Sequence, residues 1–359
     1  MRSDLILACG VLAIACAPAA REPDITSAGT RSFFMGFSII PPKPDVKLAI
    51  RSAEVWTKRS DAAIMHVDVP WALILAGTSA ADALRRDGVD LERYYRGKHL
   101  KLVVTIDVTN GLARESESPA LVAARRSIAE PAIQRLYRNY VLAVVEMLHP
   151  DYLGLAAETN LIRAAAPRAV YDAVVKMTKD AANDVRRTRT ASVLPLYVSV
   201  QVETAWGKLG QQGPYVGVEQ DLRDFPFVNL LGLSSYPYLG GFKTPAQIPL
   251  DYYARLRGPR ALPVMIVEGG WSSRSVGGVF TSSREMQADY IARQAQLLEQ
   301  AKAIGVFQLS FTDLDLRGFP KPVPGILVLF DALGLVDANL EPKPALNAWD
   351  RNFARRLQR

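Results

Sequence analysis

The chain has 359 residues, 49% hydrophobic and 22% charged, a globular mix long enough for one large α/β barrel or two smaller domains. Its formal charge is +7, yet the basic residues are scattered as pairs in helical patterns (Arg85-Arg86, Arg125-Arg126, Arg186-Arg187, Arg355-Arg356), which argues for solvated helix faces and against a nucleic-acid partner. Two cysteines, Cys9 and Cys16, and three dispersed histidines, His66, His99 and His149, exclude a disulfide scaffold, a thiolate metal site and a zinc cluster, so no metal or cofactor is expected.

Residues 1–19 read as a secretory signal: Arg2, an apolar run from Leu5 to Ala15, then small residues. Leu12-Ala13-Ile14-Ala15-Cys16 resembles a bacterial lipobox, with Ala13 where Leu is usual. Two outcomes follow, lipidation of Cys16 with a membrane anchor, or cleavage around Ala17-Pro18-Ala19 and release. Both predict an exported protein. No later stretch approaches the roughly 20 apolar residues of a membrane span. Residues 20–31 are small and polar and read as a tether.

From residue 32 a rhythm of short apolar runs and longer amphipathic ones begins. The predicted strands are Ser32–Ile40, Ala62–Val69, Leu100–Val108, Tyr152–Ala157, Leu194–Val202, Phe227–Ser234, Pro263–Glu268 and Gly305–Phe311. Helices are predicted around Val46–Arg59, Glu130–His149 with Pro131 in its first turn, Ala169–Arg187, Ser283–Lys302 and Pro344–Leu357. Eight strands alternating with helices in units of roughly 30 to 50 residues predict a single α/β domain over 32–359, a (β/α)8 TIM barrel. A doubly wound sheet is the weaker alternative, because no G-x-G-x-x-G follows the first strand and no P-loop occurs.

In such a barrel all strands end on one face, and that face carries the active site. The predicted strand ends are polar or aromatic: His66 and Asp68, Asp107 and Asn110, Glu158 and Asn160, Gln201 and Glu203, Tyr236 and Tyr238, Glu268, Asp313. Glu268 closes a buried apolar strand and is followed by Gly269-Gly270-Trp271, a costly place for a carboxylate without partners or a task. Glu158 and Glu268, on the fourth and seventh strands, are spaced to face each other at about 5 Å, the separation of a retaining glycosidase pair. Tyr236 is placed to donate to Glu268 and hold it ionised. Trp71, Tyr238 and Trp271 offer rings to stack on sugars, and His66, Asp68 and Asn160 offer polar contacts.

This layout resembles clan A of the glycoside hydrolases. The resemblance implies an acid/base at the end of the fourth strand, here Glu158, and a nucleophile at the end of the seventh, here Glu268. Gly232-Leu233-Ser234-Ser235-Tyr236-Pro237-Tyr238 is similar to the sixth-strand motif of family 53, the endo-β-1,4-galactanases. Ile266-Val267-Glu268-Gly269-Gly270-Trp271 looks like the nucleophile strand of families 17 and 53, and His66-Val67-Asp68-Val69-Pro70-Trp71 is a looser match to a second-strand motif. Two positions depart from the pattern: Ala157 stands where the clan has the Asn that binds the sugar 2-hydroxyl, and Phe311 where the eighth strand commonly has Trp.

Each feature also has a bland explanation. Glu268 could be a structural carboxylate paired with a rim Arg such as Arg274, Glu203 is a rival acid, and Asp313 with Asp315 is a thin calcium candidate. The reading reached is an exported, monomeric hydrolase of a β-linked oligo- or polysaccharide. The alternative is a catalytically inactive barrel that binds carbohydrate at the cell surface, which Ala157 favours.

Overall fold

The computed structural model describes residues 29–189, 191–209 and 213–358. Residues 1–28, and with them Cys16, its lipidation and the signal, lie outside the described residues. Eight parallel strands form a ring: β1 (Phe34–Ser38), β2 (Ala62–Asp68), β3 (Lys101–Asp107), β4 (Tyr152–Gly154), β5 in two pieces (Leu196–Tyr197 and Ser199–Gln201), β6 (Leu231–Ser235), β7 (Val264–Gly269) and β8 (Gly305–Gln308). β8 pairs with β1, and β5 closes the ring: its first piece bonds β4 and its second bonds β6. The predicted (β/α)8 barrel is the observed fold.

The strand sequences dictate this by alternation. Phe34, Ala62, Ile64, Val103, Met265, Val267 and Phe307 fill the barrel interior. Their neighbours Met35, Phe37, Ala63, Met65, Leu102, Val104 and Ile106 face the outer helical layer. The principal helices are Val46–Trp56, Pro131–Leu148, Arg168–Arg187, Arg284–Ala301 and Pro344–Phe353. Asp45 caps the first by accepting from Lys47 N and Leu48 N, and Ser283 caps the fourth by accepting from Met286 N. One link breaks the alternation. β6 and β7 are joined by 3₁₀ turns, Pro245–Gln247 and Ala254–Arg257, with no α-helix between them.

Tyr197 plugs the barrel below the mouth. It is fully buried, and its hydroxyl shares a 2.6 Å hydrogen bond with Thr105 Oγ1. The ring needs room from two glycines: a Cβ at Gly154 would lie 2.6 Å from it, and one at Gly232 2.9 Å. Gly154→Ala is therefore expected to destabilise the protein by about 1–3 kcal/mol through overpacking. Denaturant unfolding checks this, and an unchanged midpoint would mean that Tyr197 gives way freely.

Two predicted boundaries are corrected at the opposite end. Thr30–Arg31, expected in the tether, pairs in parallel with Arg356–Leu357, expected in the last helix, which ends at Phe353. The reason is Arg31. Its buried guanidinium donates to Asp61 Oδ2 at 2.7 Å, to Phe33 O at 2.7 Å and to Arg355 O at 2.9 Å, so Thr30–Arg31 and Arg356–Leu357 are drawn together at the barrel floor. No helix among the described residues is long and apolar enough to cross a membrane.

Candidate active site

The C-terminal strand ends form an open mouth. On β2 and β3 plain alternation carries inward through Ile64, His66 and Asp68, and through Val103, Thr105 and Asp107. On β6 it carries Gly232, Ser234 and Tyr236 inward. β7 is different. Met265 and Val267 point inward, so alternation alone would send Glu268 out among the helices. A register shift intervenes: Leu233 pairs with Ile266, but Ser234 pairs with Glu268. That bulge turns Glu268 into the mouth.

Glu268 Oε1 accepts a 2.5 Å hydrogen bond from the Tyr236 hydroxyl. Its carboxyl pKa is raised to about 7, first by burial and then by the charge of Glu158, while the Tyr236 hydrogen bond and Arg114 pull it back. No cation touches it. Arg274, the suspected structural partner, instead pairs with Asp331 at 2.6 Å.

Glu158 sits just past β4 in a left-handed backbone conformation, φ 48° and ψ 47°, uncommon for a residue with a Cβ. Its amide donates to Ser199 Oγ at 2.9 Å, which fixes that turn. Its carboxylate accepts from Ser234 Oγ at 2.7 Å and from Arg114 Nε at 2.9 Å. Arg114 is itself buried and donates to both oxygens of Asp107, at 2.7 and 2.6 Å. Burial opposes its charge, and Asp107 and Glu158 more than offset that opposition. Arg114 was not foreseen. It lies in the irregular loop after β3 and carries no motif. Ser234 was part of a quoted motif, but its role was not.

His66 and Asp68 are open to solvent at the mouth, as expected of contact residues. His66 Nε2 donates to Val267 O across the lumen at 3.1 Å. Protein atoms surrounding the ring push its pKa down, so at neutral pH it is uncharged with Nδ1 left as an acceptor. Partial desolvation in the crowded mouth, then the charge of Asp107, pushes the Asp68 carboxyl up.

Four expected contact residues are corrected. Trp71 and Trp271 are each 1% exposed, and Tyr238 is 2% exposed. Trp271 donates to Ser282 Oγ and packs on Tyr290, and Tyr238 donates to Leu329 O. These rings are core and present no face for stacking. Asn160 is buried and bonds the Gln201 backbone through both ends of its amide, at 2.8 Å each. The aromatic ring that does stand at the mouth is Phe330, half-buried and edge-on to Tyr236 at 4.9 Å.

The rival acids also find structural partners. Glu203 is fully buried and accepts from Tyr252 Oη, Ser235 Oγ and Tyr236 N at 2.8, 3.1 and 3.0 Å, so it anchors the backbone of Tyr236. Asp313 pairs with buried Lys343 at 2.7 Å and Asp315 with Arg317 at 2.8 Å. No group of three or more potential metal ligands occurs among the described residues.

No protein-family model matches the chain, and no curated protein matches it by sequence. Solved structures match its fold. An exo-β-1,4-mannosidase from Opitutaceae bacterium strain TAV5 superposes with TM-score 0.59 at 16% identity over 92% of this chain and 61% of that one. A family 39 glycoside hydrolase from Bacteroides cellulosilyticus WH2 gives 0.57 at 16%, over 90% and 64%. A GH5_18 protein from Streptomyces cattleya, solved with GlcNAc, gives 0.60 at 16%, over 90% and 80%. The chain thus spans about three fifths of the length of the mannosidase. At these identities the likeness establishes the barrel, and the chemistry rests on the site.

Proposed function

We propose that the protein is a retaining glycoside hydrolase acting on a β-linked sugar. The observation that carries this is Glu268, turned into the mouth by a bulge and gripped by Tyr236, with Glu158 near enough to raise its pKa. Glu268 attacks the anomeric carbon and forms a glycosyl ester as the glycosidic bond breaks. Glu158, carrying the one proton that the two carboxyls hold between them, gives it to the departing oxygen. In the second step Glu158 takes a proton from water, the water oxygen displaces Glu268, and the sugar leaves with its starting configuration. Arg114 stabilises Glu158 as the carboxylate it becomes after the first step.

Tyr236 acts on the nucleophile's charge. Its hydrogen bond lowers the Glu268 pKa, which stands at about 7. Below that value the two carboxyls hold one proton between them, and the step needs it on Glu158 with Glu268 ionised, so kcat/KM is expected to fall along a descending limb as pH rises through about 7. Tyr236→Phe is expected to move that limb to higher pH and lower the plateau roughly 10-fold. A variant limb that coincides with the wild-type limb would remove Tyr236 from this role.

The finer resemblance to the family 53 galactanases rests on the β6 and β7 motifs. The test is reducing-sugar release across galactan, mannan, xylan and β-glucans, and from small β-glycosides. Release from one class names the substrate. A second reading, a carbohydrate-binding barrel without turnover, is favoured by Ala157 and by the ion pair that occupies Glu158. Saturable glycan binding with no release from any substrate would select it.

A further inference from the structure

A cavity of about 380 Å³ opens beside the candidate site and shares His66 and Asp68 with it. Its origin is a mismatch in strand pairing. β1 and β2 pair from Gly36–Ala62 only as far as Ser38–Ile64, whereas β2 and β3 stay paired up to Asp68–Asp107. Above Ile64 the wall between β1 and β2 is therefore unzipped, and a slot runs outward toward the helical layer. Ile39, Ile40, Val67, Pro70, Leu84 and Leu91 line it. The volume lies within the range of small-molecule sites, and the walls are mostly aliphatic, with Tyr140 among them.

The rest of the mouth narrows what this slot can take. A site that grips a long glycan commonly lays sugar rings on exposed indoles. All five tryptophans of this chain are described, and none has a free face. Trp56, Trp71, Trp271 and Trp349 are each 1% exposed, and Trp206 is stacked between Tyr252 at 5.0 Å and the Arg255 guanidinium at 4.8 Å. Besides the Phe330 ring, which is edge-on to Tyr236, the apolar surface that reaches the polar site is the slot, to one side of it. Sugar hydroxyls suit His66 and Asp68, and a hydrocarbon group suits the slot behind them.

We propose that the substrate is a β-glycoside with an apolar alkyl or aryl aglycone, seated in the slot between β1 and β2, with the sugar over Glu268. This rests on the glycosidase reading for the sugar's place, but the slot has its own test. Methyl and octyl β-glucosides and β-galactosides, below micellar concentration, are titrated calorimetrically into the full-length Glu268→Gln protein. Each comparison is between two tails on one sugar. Burial of methylenes gains about threefold in affinity each until the slot is full, so the octyl glycoside is expected to bind at least about 30-fold more tightly than the methyl one. Leu91→Trp, which fills the slot, is expected to erase most of that gain and leave methyl glycoside affinity unchanged. Leu84→Phe is a second filling variant should the first fail to fold.

Equal affinities for both tails, a gain that survives slot filling, or no binding by any tail overturns the proposal. The wild-type protein separates the two ideas. An affinity gain without hydrolysis of any glycoside keeps the slot and rejects the glycosidase. Hydrolysis with equal kcat/KM for both tails and no affinity gain keeps the glycosidase and rejects the slot.

Discussion

Glu268→Gln is expected to lower turnover by roughly 10⁴-fold or more, because the amide cannot form the glycosyl ester and no neighbouring group replaces it. The fold should survive, and stability should rise. The folded-state pKa of about 7 lies above the ordinary carboxyl value of 4.5. Between these values the unfolded chain has released the Glu268 proton and the folded chain has kept it. The folded state therefore binds more protons, and this group costs stability progressively as pH rises from 4.5 to 7, with the full cost present above 7. Gln does not ionise and escapes that cost. The variant should match the wild type at pH 4 and melt later at pH 8, by the equivalent of about 3 kcal/mol at most. Turnover within 10-fold of wild type would reject Glu268 as nucleophile. A stability gain independent of pH would reject the electrostatic account of its environment.

The second large effect is at Arg114. Arg114→Met keeps much of the volume but leaves Asp107 and Glu158 without their shared cation in a buried setting. Removing one partner of a buried ion pair costs about 3–5 kcal/mol, because the remaining charge is stranded. Here two carboxylates are stranded together, so the loss should be at the upper end near pH 8. Arg114→Lys should recover only part of it, since one ammonium cannot reproduce the fork that reaches Asp107 through Nη1 and Glu158 through Nε. Urea unfolding at pH 8 measures both claims. A loss under about 1 kcal/mol at pH 8 would mean that water already shields the pair.

The barrel was legible in the sequence because each strand pairs an apolar run with a polar end, and that pattern comes from burial on both sides followed by exposure at the mouth. Glu158, Glu268 and Tyr236 were legible for the same reason. The direction in which Glu268 points was not, since it depends on a bulge opposite Leu233 that no residue type announces. Aromatic residues misled. Trp71 and Trp271 adjoin strand ends as a sugar platform would, but a large apolar ring near a helix is equally suited to core, and packing decided it. Arg114 was hidden because its two carboxylate partners come from β3 and the turn after β4, a meeting that only tertiary closure creates. The β1–β2 slot was hidden too, because the length of strand pairing is set by neighbours and not by either strand alone.

The floor of the barrel fixes an orientation. Thr30–Arg31 joins the C-terminal residues beneath the strands, and the chain then rises into β1 toward the mouth. Residue 29 therefore lies on the face opposite Glu158 and Glu268. A surface brought against that end would meet the closed underside, and the mouth would look away from it. Substrate would then reach the mouth without passing that surface.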